Sequence, residues 1–235
     1  MREPDLRTAL AELDQLRGGL VVSCQARDDN PLHGPRFMAA MARAAIAGGA
    51  RGIRADGVAD VTAIRYEIGP NVPIMGIFKV KQPDGSLFIT PSAEAARAVL
   101  AAGARLVALD GTTRVRPGGE HLADVVAAIH AGGGTALGDV GTAEDARYAI
   151  SCGVDAVGTT LSGYTPDSPK SEGPDFLLLE QLARDCPVPV FAEGRIWTRE
   201  EARQAKELGA AFVVVGTAIT NPTAITARIV AALQE

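Results

Sequence analysis

Short apolar runs alternate with longer, alanine-rich amphipathic stretches eight times along this chain. The runs are Gly19 to Gln25, Gly52 to Ala55, Pro73 to Lys79, Leu106 to Asp110, Thr135 to Val140, Ala156 to Thr160, Pro189 to Gly194 and Phe212 to Gly216. Each is brief and often β-branched, as a strand buried on both faces must be. The stretches between them carry helix signals. Ser92, Thr142 and Thr198 stand as N-caps with carboxylates in the first turn behind them, and Asn221-Pro222 opens the last helix. Gly49, Gly103, Gly153 and Gly209 each end a helix shortly before the next strand, where a left-handed cap favours a residue without a Cβ. Eight βα units predict a single-domain (β/α)8 TIM barrel over residues 1–235. A doubly wound sheet rarely uses eight equal units, and no GxGxxG follows the first strand.

Ahead of the first strand, Met1 to Arg17 carries charges throughout and places Leu6, Leu10, Leu13 and Leu16 at helical spacing. That pattern predicts an amphipathic helix capping one end of the barrel, not a secretory signal. No later segment approaches a membrane span, so the cytoplasm is the expected compartment. An aromatic share of only 4% points to an aliphatic core. A net charge of -5 without a basic block excludes nucleic acid and anionic membranes as partners, yet a few local cations can still hold a small anion. Cys24, Cys152 and Cys186 are odd in number and far apart, which predicts free thiols.

In a barrel of this kind the chemistry sits at the carboxyl ends of the strands. Those ends read Gln25, Arg54, Lys79, Asp110, Asp139, Thr160, Glu193 and Thr217. A ring of polar and ionisable groups around an apolar core must be solvated, mutually paired or used on a ligand. A pair such as Arg54 with Asp110 would satisfy the second case. Lys79 and Glu193 are the candidate base and acid, since desolvation lowers a lysine pKa and raises that of a carboxylic acid. The same lysine suits a Schiff base with a carbonyl substrate. Gly194, Arg195, Gly216 and Thr217 close the last two strands, where barrels cradle phosphate on backbone N–H groups. Tight turns alone would also account for those glycines. Asp110 and Asp139 lack the third ligand a metal site needs, and the three histidines have no ligand spacing, so no metal is expected.

These strings closely resemble bacterial N-acetylmannosamine-6-phosphate 2-epimerases across nearly the whole chain. The resemblance rests on Val22-Ser23-Cys24-Gln25-Ala26, Gly52-Ile53-Arg54-Ala55, Ile74-Met75-Gly76-Ile77-Phe78-Lys79, Ile89-Thr90-Pro91 and Thr113-Arg114-Val115-Arg116-Pro117. It continues through Thr159-Thr160-Leu161-Ser162-Gly163-Tyr164-Thr165, Ala192-Glu193-Gly194-Arg195 and Val215-Gly216-Thr217-Ala218-Ile219-Thr220. It implies a cofactor-free proton transfer at carbon 2 of an open-chain amino sugar, with Lys79 and Glu193 catalytic. Gln25, Arg54 and Asp139 match residues that hold the substrate's oxygens, and Thr160 joins them in the implied pocket. The implied partner is a small amino sugar carrying a 6-phosphate, with a homodimer as the candidate assembly.

Two positions depart from the family's usual pattern. The family follows Ile-Thr with an arginine before proline, where this chain has Asn221-Pro222, and follows the lysine with Arg-Asp-Tyr, where this chain has Val80-Lys81-Gln82. The first change removes a cation from the expected anion, and Arg199 at a helix start is a candidate replacement. The alternatives are therefore the same chemistry on an unphosphorylated or differently substituted N-acyl hexosamine, and a Schiff-base aldolase or lyase using Lys79.

Overall fold

The computed structural model describes residues 6–234, so Met1 to Asp5 of the expected first helix lie outside the described residues. In chain order the strands are β1 (Leu20–Cys24), β2 (Gly52–Asp56), β3 (Ile74–Ile77), β4 (Lys79–Lys81), β5 (Leu87–Ile89), β6 (Leu106–Asp110), β7 (Thr135–Asp139), β8 (Ala156–Gly158), β9 (Val190–Glu193) and β10 (Phe212–Val215). β4 and β5 form a separate antiparallel hairpin. The other eight strands are parallel and close into a barrel in the order β1-β10-β9-β8-β7-β6-β3-β2. Around them run α2 (Pro35–Ala47), α3 (Gly57–Ile68), α4 (Ala93–Ala101), α5 (Leu122–Ala131), α6 (Ala143–Ser151), α7 (Phe176–Asp185), α8 (Arg199–Glu207), the short α9 (Thr217–Thr220) and α10 (Pro222–Ala232), with α1 (Leu6–Gln15) ahead of β1. This is the expected (β/α)8 barrel.

The local signals act where the sequence puts them. Ser92, Thr142 and Thr198 each accept a backbone N–H from the first turn of α4, α6 and α8, and Thr198 completes a capping box with Glu201. The four predicted cap glycines all have positive φ, between 94° at Gly153 and 108° at Gly103. The strand limits need one correction. The third barrel strand ends at Ile77, so Lys79 is not on a barrel strand but opens the β4–β5 hairpin. A single alternation pattern runs through Ile77 and Phe78, and sequence alone does not mark where the chain leaves the barrel wall.

Two apolar layers hold the fold. Inside the barrel lie Val21, Met75, Ile77, Leu106, Leu137 and Val214, together with Phe191 and Phe212, whose rings stack at 5.0 Å. The core is therefore less purely aliphatic than the composition predicts. Gly158 makes room for this stack, because a Cβ there would lie 2.0 Å from the Phe191 ring. Leu13 of α1 and Leu16 just after it enter the same interior cluster. The chain just after α1 bonds to residues that precede strands: Gly18 N–H donates to the Ala211 carbonyl at 2.6 Å, and Arg51 donates to the Arg17 carbonyl. The amphipathic helix thus closes the amino-terminal end and leaves the carboxyl end for chemistry. Helix α10 is the exception to the outer layer, since none of its side chains is buried. No helix among the described residues is long and apolar enough to cross a membrane.

Candidate active site

β2 points Arg54 into the barrel, where its side chain is only 1% exposed. Its guanidinium donates from Nη1 to Asp139 Oδ1 at 3.1 Å and from Nη2 to Asp139 Oδ2 at 2.6 Å, and Nη1 lies 2.9 Å from Glu193 Oε2. Asp139, at the end of β7, is 0% exposed, and Glu193, at the end of β9, is 14% exposed. One buried cation thus faces two carboxyl groups. Burial raises the Glu193 pKa, the Arg54 charge opposes the rise, and the Asp139 charge adds to it; the result is about 7. Thr160 Oγ1 lies 2.6 Å from Asp139 Oδ1 and 3.2 Å from Glu193 Oε2. A hydroxyl has one proton to give. When it donates to Asp139, the second contact is best satisfied by a protonated Glu193 donating to Thr160.

Lys79 stands across the mouth. Its backbone N–H donates to Asp56 Oδ1 at 3.0 Å, and its Nζ donates to Gln25 Oε1 and lies 3.7 Å from Asp56 Oδ2. Gln25 is fixed in turn by donating from Nε2 to Ser23 Oγ at 2.7 Å. The Lys79 side chain is 33% exposed. Burial lowers its pKa, Asp56 opposes that, and the Arg54 charge reinforces it. Lys79 and Glu193 sense each other's charge but form no ion pair with each other. Thr90 holds the base of the hairpin in place. It donates N–H to the Phe78 carbonyl at 2.7 Å, accepts Phe78 N–H at 3.0 Å, and donates its hydroxyl to the Ala108 carbonyl of β6 at 2.7 Å. This β-branched residue does so at φ 44°, a strained conformation that its three bonds maintain.

The predicted site residues therefore divide. Lys79 with Gln25, and Glu193 with Thr160, gather at the carboxyl end of the barrel and are each partly exposed. Arg54 and Asp139 belong to the same cluster and lie deeper, where they hold Glu193 and Thr160. Arg54 pairs with Asp139 and Glu193, not Asp110, whose carboxylate takes up Thr112 and Arg114 of the following loop. Asp56 and Thr90 are the residues sequence reasoning missed. Asp56 had a usable signal, since a strand repeats every second residue and Arg54 was already assigned inward.

The glycine turns after β9 and β10 lie side by side. The N–H groups of Gly194, Gly216, Thr217 and Ala218 have no partner among the described residues, and Gly194 has φ 116°. Arg195 departs from its expected role. Its Nε donates to the Gly173 carbonyl at 2.7 Å, its Nη1 to the Ser162 carbonyl at 2.6 Å, and its Nη2 to Ser171 Oγ at 3.2 Å. The guanidinium braces the loop between β8 and α7. Arg199 is also diverted, since it pairs with Glu200 at the surface. Trp197 packs under Arg228 of α10 at 4.8 Å. Among the described residues no group of three or more His, Cys, Asp or Glu is placed to hold a metal.

Comparison with known proteins bears on this constellation. Residues 38–235 match the family described as "Putative N-acetylmannosamine-6-phosphate epimerase". The chain belongs to this family. A relative from Clostridioides difficile, named "Putative N-acetylmannosamine-6-phosphate 2-epimerase", is 43% identical over 94% of this chain and 99% of its own length. One of the same name from Cutibacterium acnes is 47% identical over 90% of this chain and 92% of its own. The solved N-acetylmannosamine-6-phosphate 2-epimerase of Clostridium perfringens superposes with a TM-score of 0.90 at 45% identity, covering 94% of this chain and 95% of that one. More distant barrels, such as a thiamine phosphate pyrophosphorylase from Pyrococcus furiosus at 18% identity and a TM-score of 0.59, share the fold alone.

Proposed function

We propose that this chain interconverts N-acetylmannosamine 6-phosphate and N-acetylglucosamine 6-phosphate by moving the proton at carbon 2, with Lys79 and Glu193 as the groups that take and return it. The observation that carries the reading is the pairing of an amine whose pKa is lowered by burial with a buried carboxyl whose pKa is about 7, both at the carboxyl end of the barrel. In the open-chain sugar carbon 2 adjoins an aldehyde. Removing its proton leaves an enolate whose charge gathers on the aldehyde oxygen, and donors must stand there. The neutral Lys79 amine takes the proton on one face, and the protonated Glu193 carboxyl returns one on the other. Gln25 and Thr160, half-buried at the rim, hold sugar oxygens. Arg54 and Asp139 act through Glu193 and Thr160 as positioning residues. The free N–H groups of Gly194, Gly216 and Thr217 receive the phosphate. The sugar is neither oxidised nor reduced, so the chemistry calls for no cofactor.

Deuterium exchange at carbon 2, followed by NMR in heavy water for the 6-phosphate and the free sugar side by side, tests this. Exchange with the phosphate and its disappearance in Lys79→Ala are expected. Borohydride trapping of substrate on Lys79 would instead identify a Schiff-base enzyme. The reading includes a homodimer, because no side chain of α10 is fully buried and the helix and its end expose Ile229, Val230 and Leu233. Sedimentation at micromolar concentration checks it, and a monomer would overturn it.

A further inference from the structure

A phosphate bound only by backbone N–H groups lacks the charge that makes such contacts strong. The cations around the carboxyl end are mostly committed. Arg54 holds two carboxyls, Lys79 holds Gln25 and Asp56, Arg114 holds Asp110, Arg195 braces a loop and Arg199 pairs with Glu200. Asn221, where the family usually has arginine, contributes no charge at all.

Arg27 is different. β1 is the barrel neighbour of β10, with Val22 in register with Val215. Ser23 lies against the cradle: its carbonyl accepts the Thr220 hydroxyl at 2.9 Å, and its Cβ would lie 3.2 Å from a Cβ added at Gly216. The chain leaving β1 therefore rises beside the Gly216 turn, and Arg27 stands on it four residues beyond Ser23. The turn that carries Arg27 is closed by Asn30 N–H donating to the Arg27 carbonyl at 2.9 Å. The same Asn30 reaches across from Nδ2 to Asn221 Oδ1 at 3.5 Å. So the loop bearing Arg27 touches the very position where a family member would place its arginine. Arg27 is exposed and forms no ion pair among the described residues. Its charge also reaches Lys79, among the causes that lower that amine's pKa after burial and Arg54.

We propose that Arg27 supplies the cation for the substrate's phosphate, replacing from the β1–α2 loop the charge absent at Asn221. The inference rests on the phosphorylated-sugar reading above and names the side chain that selects for it. A guanidinium suits the task, since it meets two phosphate oxygens at once and keeps its charge at any working pH.

The test compares wild type, Arg27→Gln, Arg27→Lys and the double variant Arg27→Gln/Asn221→Arg, each assayed by carbon 2 exchange on the 6-phosphate and the free sugar. Arg27→Gln should raise KM for the phosphate with kcat largely kept, lowering the ratio of kcat/KM for phosphorylated over free sugar by roughly 10- to 100-fold, the scale of one charge-assisted bond. Arg27→Lys should recover part of that ratio, and the double variant most of it. A folded Arg27→Gln enzyme whose ratio equals the wild-type value overturns the assignment. An equal loss on both sugars overturns it too, because it would place Arg27 in the proton chemistry or in loop folding. A wild-type enzyme that turns over both sugars alike would instead sink the phosphorylated-sugar reading itself, whatever Arg27 does.

Discussion

At its amino-terminal end the barrel is closed by apolar side chains. Leu13 and Leu16 are buried under the strands, and charges stay at the edge in pairs, Glu12 with Arg105 at 3.3 Å and His130 with Asp155 at 2.8 Å. At its carboxyl end the same strands carry Arg54, Asp139 and Glu193 into the interior, one cation among two carboxyls. Thr90 and Arg195, the non-glycine residues with positive φ among those described, also stand there. Apolar burial at the closed end favours folding throughout. Burial at the open end works against charge. It moves an acid of ordinary pKa 4.5 and an amine of 10.5 toward each other, which proton transfer requires and stability does not.

Single substitutions at the two ends should therefore have opposite signatures. Lys79→Ala is expected to give the largest effect, a loss of carbon 2 exchange by at least about 10²- to 10⁴-fold. Its melting temperature should hold or rise, because a lysine with a lowered folded-state pKa opposes folding wherever it is charged. Near-normal exchange in the folded variant would remove Lys79 from the mechanism. Leu16→Ala should do the reverse. A loss of about 2 to 5 kcal/mol in urea unfolding is expected for a buried leucine, with kcat unchanged well below the melting point. A parallel fall in kcat would mean the two ends are coupled and the contrast is false.

Glu193→Gln sharpens the comparison by changing both quantities at one residue. The folded carboxyl's pKa is raised to about 7, so its contribution to stability is complete below the ordinary 4.5 and is lost as pH climbs through 7. The neutral amide does not titrate. The variant should match wild type near pH 4.5 and exceed it at pH 8 by up to about 3 kcal/mol, while losing epimerisation. The wild-type pH–rate profile should carry a limb near 7 that reports this group. Thermal melts at the two pH values decide the point, and a wild type as stable as the variant at pH 8 would show that Arg54 neutralises Glu193 fully.

The barrel was legible because its signals are local and repeated. Each βα unit carries its own apolar run, four helices carry a capping side chain at Ser92, Thr142, Thr198 or Asn221, and an error in one unit leaves the other seven intact. Lys79 and Glu193 were legible because a charge at the end of an apolar run is costly to keep unless it meets water, a partner or a ligand. What escaped depends on contacts distant in sequence. Arg54 stood out as a strand-end charge, but its hold on Asp139 and Glu193, from β7 and β9, joins positions far apart in the chain. Arg195 looked like a phosphate cation until the carbonyls of Ser162 and Gly173 took its guanidinium. The β4–β5 hairpin was hidden because its hold on the barrel is a few bonds between residues distant in sequence, among them the Thr90 hydroxyl on Ala108 and the Lys79 N–H on Asp56.

The smallest expected effect concerns Asn221, where sequence suggested only a missing charge. In the fold its Oδ1 accepts the Ala224 N–H at 3.1 Å and so caps α10. Arginine cannot accept that bond. Asn221→Arg should therefore cost about 1 kcal/mol of stability, the usual loss at an N-cap, and the cost should be confined to a helix with no fully buried side chain. The same variant adds a cation beside the cradle. With Arg27 already in place a second guanidinium meets a partly neutralised phosphate, so KM for the phosphorylated sugar should fall by less than about tenfold, and the free sugar should not respond. Hydrogen exchange over α10 reads the first effect and steady-state kinetics the second. A gain as large as that seen in the Arg27→Gln background would mean that the two arginines act independently, and that Arg27 does not occupy the place left by the missing one.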